Sequence, residues 1–262
     1  MDGHELERKK TIMPKQIRKY IIFSIVFISS IGFYLSVHAY ILPGPYILKY
    51  MIENLGKAKR LEVVQEVMIY DNSPQDGGVE GMETVKYIFP DKFRSDIASG
   101  NKQRIHIVSK GEDFTIDDGS ITTSSETWLD TYKEILLYRS RKSLERRLLF
   151  RRVSVAVSSY GRFEGKPAYV LGARYPDETK PQVWFKKGSL QPFRWILRTR
   201  NERGSGDTLE IRYLEWQETN ENWYPMHIEF YKNDKINVKS VKINPSFPKE
   251  LFNIRRLKSV YR

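Results

Sequence analysis

From Leu61 to Ile243 the chain repeats one pattern, in which short runs of alternating apolar and polar residues each end in a turn. Successive strand residues point to opposite faces of a sheet, so this alternation calls for half-buried β-strands. Leu61, Val63, Val67 and Ile69 alternate with Glu62 and Glu66. Val85, Tyr87 and Phe89 alternate with Thr84 and Lys86, and Phe93, Ser95 and Ile97 follow the turn "PDK". Ile105 and Ile107 come next, then Phe114 and Ile116, with "DDGS" as a hairpin turn. A second series runs "VSVAVSSY", "KPAYVLGAR", "PQVWFKKG", "QPFRWILRT", "DTLEIRYLEWQ", "NWYPMHIEFYKN" and "NVKSVKIN". Its turns are "RFEG", "YPDETK", "GSLQP", "RNERGSG" and "ETNEN". The 16 Tyr, 13 Phe and 5 Trp also favour strands. The expected fold is mainly β (α+β): about eleven strands in one long antiparallel sheet, curled or closed on itself.

Two stretches break the alternation. In "PGPYILKYMIENLG", Ile47, Met51, Ile52 and Leu55 recur at helical spacing behind Pro43 and Pro45, with Gly56 as a C-cap. This predicts an amphipathic helix over 46–55. In the second, Thr127 to Phe150, there is no Gly or Pro, and Leu, Glu, Arg and Lys dominate. It predicts a helical insertion, with Trp128, Tyr132, Ile135 and Leu136 on one face and Leu144 and Leu148 continuing the stripe. Arg139, Lys142, Arg146 and Arg147 mark its polar side.

Residues Tyr20 to Ala39 carry no charge, and Lys15, Arg18 and Lys19 stand just before them. Such a segment targets a membrane with its start in the cytosol. One reading is a signal peptide cut before Tyr40, with Val37 and Ala39 as the small residues and Met13 as an internal start. The other is an uncleaved anchor, since the run approaches the ~20 residues that span a bilayer. Either places residues 40–262 outside the cytosol as one domain. The net charge is +12, of which +9 lies beyond residue 39, and a basic surface suits a phosphate-bearing partner. Outside the cytosol that partner is a membrane surface, and nucleic acid is not expected.

The residues offer little catalytic chemistry. Without cysteine there is no disulfide, thiolate nucleophile or lipid-modified N-terminal cysteine. Beyond residue 39 only His106 and His227 remain, 121 positions apart within strand patterns, with no ligand cluster around them. No G-x-S-x-G or phosphate-binding loop is present. "SGNK" at Ser99 falls in a polar turn, and Asp117-Asp118-Gly119 is a hairpin turn without the spacing of a calcium loop. The expectation is a protein that is no enzyme and uses neither metal nor cofactor.

The order of these pieces resembles a known family. A membrane-targeting start, a helix, antiparallel strands, "PDKFR", a helical insertion, "EGKPAYVLGA", "QVWFKKGSLQPFRW" and "INPSFPKELFNI" follow one another as in the LolA/LolB-like carriers of outer-membrane lipoproteins and their periplasmic relatives. The resemblance covers roughly residues 44–254 and rests on order more than on identity. It implies an unclosed β-barrel capped by helices, 127–150 being the lid, and a periplasmic monomer that holds acyl chains in a hydrophobic cavity. The partners implied are an acylated lipoprotein or lipid, and a membrane surface or inner-membrane donor complex. The implied wall comprises Val63, Val67, Val85, Tyr87, Phe93, Ile105, Ile107 and Val183, with Trp128, Ile135 and Leu136 from the lid. Arg94 matches the family's strand arginine, which bonds the lid backbone, although alternation sends Phe93 and Arg94 to opposite faces. Arg139, Arg146 and Arg147 would meet anionic headgroups or a donor complex. The longer chain and the basic run Arg139–Arg152 depart from the classical carriers and leave the cargo open. The alternative is an inner-membrane-anchored structural or assembly protein whose core is filled and which carries no lipid.

Overall fold

The computed structural model describes residues 41–70, 78–109, 111–122, 127–200, 206–230 and 234–261. The segment Tyr20–Ala39 lies outside them, and no helix among the described residues is long and apolar enough to cross a membrane. Residues Ile41–Arg262 make one compact unit.

Among the described residues thirteen strands, two more than the alternation predicts, form one antiparallel sheet that does not close. The first six are β1 (Arg60–Ile69), β2 (Val79–Ile88), β3 (Lys92–Ser99), β4 (Lys102–Ser109), β5 (Glu112–Asp117) and β6 (Ser120–Thr122). The other seven are β7 (Ser158–Phe163), β8 (Lys166–Leu171), β9 (Gln182–Lys186), β10 (Pro192–Arg200), β11 (Gly206–Thr219), β12 (Asn222–Phe230) and β13 (Lys235–Ile243). Each group is a meander of neighbouring hairpins. The two groups meet where β1 pairs with β13, from Leu61 opposite Ile243 to Met68 opposite Lys235, with a bulge between Val64 and Gln65. This leaves β6 and β7 as the free edges. Asn244 fastens the junction, since its side-chain oxygen accepts hydrogen bonds from the Lys59 and Arg60 amides at 2.8 and 3.2 Å.

Helix α1 (Gly44–Asn54) precedes the sheet. The stretch 127–150 is helical in three pieces rather than one: α2 (Trp128–Thr131), α3 (Glu134–Leu137) and α4 (Arg141–Phe150). The break before α4 has a tertiary cause. Tyr138 is extended, and the Arg139 amide donates to the Pro90 carbonyl at 3.2 Å instead of continuing the helix. A 3₁₀ turn (Lys249–Phe252) and α5 (Ile254–Val260) end the chain. The start of the predicted strand at Val153 is also displaced: Val153–Val157 form turns, and the Val153 amide closes α4 by bonding the Leu148 carbonyl at 2.8 Å.

Because the insertion runs from edge strand β6 to edge strand β7, it has to pass over one face of the sheet. That inner face holds the main core. Ile47, Leu48, Met51 and Leu55 of the first helical segment and Ile135, Leu136, Leu137, Leu144 and Leu148 of the insertion pack there in one cluster with alternate residues of the strands. Burying the four side chains of the α1 segment contributes about 6–12 kcal/mol. The outer face carries two smaller clusters. Ile105, Ile107, Phe114 and Ile116 lie under Ile254 of α5, while Ala168, Val170 and Trp184 pack with Phe163 and Phe193.

Helix α1 can begin only close against the chain that follows α4. A Cβ added to Gly44 would lie 2.1 Å from the Val155 carbonyl oxygen. The nearest obstacle is backbone, and Leu171 Cδ1 lies 2.6 Å away as well, so Gly44→Ala should destabilise residues 41–262 by about 1–3 kcal/mol in urea unfolding. An unchanged midpoint would show that α1 is not anchored at that contact.

Candidate functional site

The residues proposed as cavity wall fall into two groups. Val63, Val67, Val85, Tyr87, Phe93, Val183, Ile135 and Leu136 all belong to the inner-face cluster, and none is more than 2% exposed. Trp128 opens α2. Ile105 and Ile107 are elsewhere: they face outward, opposite Ile116 and Phe114, beneath α5. The register explains this. Ser95 pairs with His106, so the inner positions of β4 are even-numbered and its two isoleucines are turned away.

The centre of the inner face is polar. Lys133, between α2 and α3, is fully buried and lies 2.5 Å from the equally buried Glu83 of β2. The Lys133 ammonium also donates to the Leu129 carbonyl at 3.0 Å and packs over the rings of Tyr132 and Phe93. Ser95 of β3 donates to Glu83, as does Gln65 of β1, and the Tyr132 hydroxyl donates to the same carboxylate at 3.3 Å. Beside this group, Asp130 receives a bidentate pair of hydrogen bonds from Arg104 at 3.0 and 2.7 Å and accepts from the Thr127 amide at 2.9 Å. Burial alone would push the Asp130 carboxyl up, but Lys133, Arg104 and His106 outweigh it and hold it well below the usual range. Tyr213 ties the insertion from the other meander, donating to the Tyr132 carbonyl at 2.9 Å. Burial raises the phenols of Tyr87, Tyr132, Tyr213 and Tyr224, keeping all four neutral.

The insertion is therefore latched to the sheet by Lys133, not by Arg94. Arg94 faces outward with Ile107 as its strand partner. It clamps Asp96 at 2.7 Å and donates to the Leu251 carbonyl in the 3₁₀ turn at 3.4 Å. The family-derived role for Arg94 is thus on the wrong face for this chain, for the reason of alternation. The three basic residues assigned to headgroups also separate. Arg139 is half-buried, stacked 4.5 Å over Phe89 and bonded to the Leu136 carbonyl at 3.0 Å, and enclosure lowers its guanidinium to about 10. Arg147 pairs with Glu134 at 2.6 Å, joining α4 to α3 together with Arg151. Arg146 alone of the three is exposed, near Leu149 and Phe150, each 67% exposed.

The latch had a signal in the sequence. Gln65, Glu83 and Ser95 occupy positions in phase with Val63 and Val67, with Val85, and with Phe93, where the alternation calls for apolar residues. Three polar residues at core positions of neighbouring strands ask for a buried partner. Among the described residues no cluster of His, Asp or Glu suited to a metal ion occurs.

No protein-family model matches the sequence, and no curated protein does. Solved structures do resemble it. A DUF1329 family protein from Desulfovibrio piger superposes with a TM-score of 0.52 at 8% identity, covering 81% of this chain and 97% of that one. A LolA superfamily protein from Nitrosomonas europaea matches with a TM-score of 0.49 at 10% identity, covering 82% and 99%. A putative outer membrane lipoprotein-sorting protein domain from Vibrio parahaemolyticus also gives 0.49 and 10%, covering 82% and 97%. At such identities the likeness is one of fold. The chain's own architecture is an open antiparallel sheet with a helix-covered inner face, and its fold is similar to that of the DUF1329 family protein.

Two measurements test the latch. Removing one partner of a buried pair strands the other charge, so Lys133→Met should cost about 3–5 kcal/mol in urea unfolding, and adding Glu83→Gln should restore part of it. Additive losses would mean the two residues act separately. Asp130 has its folded pKa depressed below 3.8, so its contribution is complete above that pH and is lost as pH falls through the folded value. Stability should thus fall less steeply in Asp130→Asn than in the parent as pH drops from 3.8 to about 2. Parallel curves would count against the depressed carboxyl.

Proposed function

We propose that residues 41–262 form a periplasmic carrier that holds acyl chains of a lipid or lipoprotein between the inner face of the sheet and its helical cover. The observation that carries this reading is the cover itself. It is a three-piece insertion between the two free edges, whose underside and the sheet face beneath it are apolar around the central Lys133–Glu83 pair. An acyl chain that displaces this underside replaces one apolar contact with another. Carrying ~16 carbons through water otherwise costs roughly 12 kcal/mol, so the wall has to supply most of that. The break at Tyr138 divides the cover, Arg147 and Arg151 tie α4 to α3 through Glu134, and Lys133 ties the cover to the sheet, so opening would have to break these ion pairs. The exposed Leu149, Phe150 and Arg146 at the end of α4 suit contact with an anionic bilayer, which would be donor or acceptor. Such work needs no reactive group, so the reading is of a monomeric carrier rather than an enzyme.

One observation favours a second reading. The eight wall residues that lie in the inner-face cluster are packed against one another at 0–2% exposure around a satisfied ion pair, which also describes a permanently filled scaffold core. Native mass spectrometry of residues 41–262, before and after mixing with a diacylated lipopeptide, separates the two. A carrier should bind one acylated species per chain. An apo mass under both conditions would leave the filled scaffold.

A further inference from the structure

The outer face holds a cleft that the carrier reading does not use. It has a volume of about 430 Å³ and lies across β7 to β11, within the range of small-ligand sites. Two departures from regular pairing shape it. The β9–β10 register slips between Pro192 and Arg194, setting Phe193 off the ladder. In β11, Glu215 takes a φ of +51° while its neighbours Leu214 and Trp216 keep their partners His227 and Pro225. A non-glycine residue adopts such a conformation only where its surroundings hold it, and positions of this kind gather at ligand sites.

The lining has a cationic side and an aromatic side. Lys186 stands opposite Ala168, one diagonal step from Lys166, and Lys187 follows it into the turn. Among the described residues no carboxylate lies within 4.0 Å of Lys166 or Lys186; the carboxylates of Glu164 and Glu215 line the cleft farther off. The Lys186 ammonium is pushed below its ordinary value, first by partial burial and then by Lys166. An anion placed between the two would relieve that repulsion. Phe163 and Phe193, with ring centres 5.5 Å apart, supply the apolar side, and the Arg194 guanidinium sits 4.9 Å over Phe163 while bonded to Glu178 and Glu210.

We propose that this cleft binds a phosphate ester, with its phosphate between Lys166 and Lys186 and its organic body against Phe163 and Phe193. Lysine serves phosphate as a mobile point charge, and a doubly charged group matches two neighbouring ammoniums better than a single carboxylate does. The ester is either a phospholipid headgroup or a small soluble ester. The site is independent of the carrier reading, since the helical cover lies on the other face.

The test is an amide chemical-shift titration of residues 41–262, a compact unit with its own core, using glycerol 3-phosphate, inorganic phosphate and dihexanoyl-phosphatidylglycerol below its micelle concentration. Saturable shifts at Lys166, Lys186 and Glu215 are expected with one or both esters. Glycerol 3-phosphate as a ligand assigns a soluble ester; the lipid alone assigns a headgroup. Lys166→Gln with Lys186→Gln, both exposed, should weaken binding at least about tenfold, whereas Lys142→Gln with Arg146→Gln on α4 should not. Equal affinity for inorganic phosphate would remove the organic body from the assignment. Absent shifts, shifts confined to the inner face, or shifts that survive the double lysine change would overturn the site, while leaving the carrier reading as it stands.

Discussion

The pairing of β1 with β13 is the contact on which the rest of the architecture depends. Hairpins alone would give two separate meanders, each with two open edges. Joining the first strand to the last merges them into one sheet and moves the open edges to β6 and β7, the two strands that flank the insertion. An insertion tied to both edges has to lie over one face. That single long-range pairing thereby decides which face becomes the core and where the cover sits. It also explains why the chain needs a cap at Asn244, where β13 ends beside the start of β1.

The inner face is not uniformly apolar. At its centre lies an ion pair whose desolvation is costly and whose partners are nonetheless satisfied by Gln65, Ser95 and Tyr132. Apolar residues of similar size would give comparable stability. What the polar group adds is register: Lys133 finds a partner at one place on the sheet only, so the cover cannot slide along an otherwise featureless apolar wall. That property suits a cover that must reseat after opening, and equally a scaffold that must hold one arrangement. The exposed pairs on the sheet surface, such as Lys242 with Glu62, carry no such constraint and contribute about 0–1 kcal/mol.

The outer face is busier than an open sheet requires. One half is covered by α5 over Ile105 and Ile107; the other carries the aromatic cluster of Trp184, Phe163 and Phe193. The likeness to the DUF1329 family structure is one of fold. It says nothing of the lysines beside that aromatic cluster, which belong to this chain's own sequence.

Much of the fold was legible in advance. Alternation located most strands, and proline, glycine and helix-period residues located α1 and the insertion, because these signals are set by neighbours along the chain. Phe93 and Arg94 were placed on opposite faces by the same rule, and the sheet keeps them there. Alternation alone did not say which parity of β4 faces inward, so Ile105 and Ile107 were assigned to the wrong side; that choice depends on Ser95 meeting His106 across the ladder. Nor could it tell that the insertion breaks at Tyr138, since the Pro90 carbonyl that takes the Arg139 amide is 49 residues away in sequence. Neighbours along the chain set the position of most strands and which residues of a strand share a face. Which face is inside, which charge the buried Glu83 meets and where the basic residues of the insertion are spent depend on contacts between residues far apart in the chain.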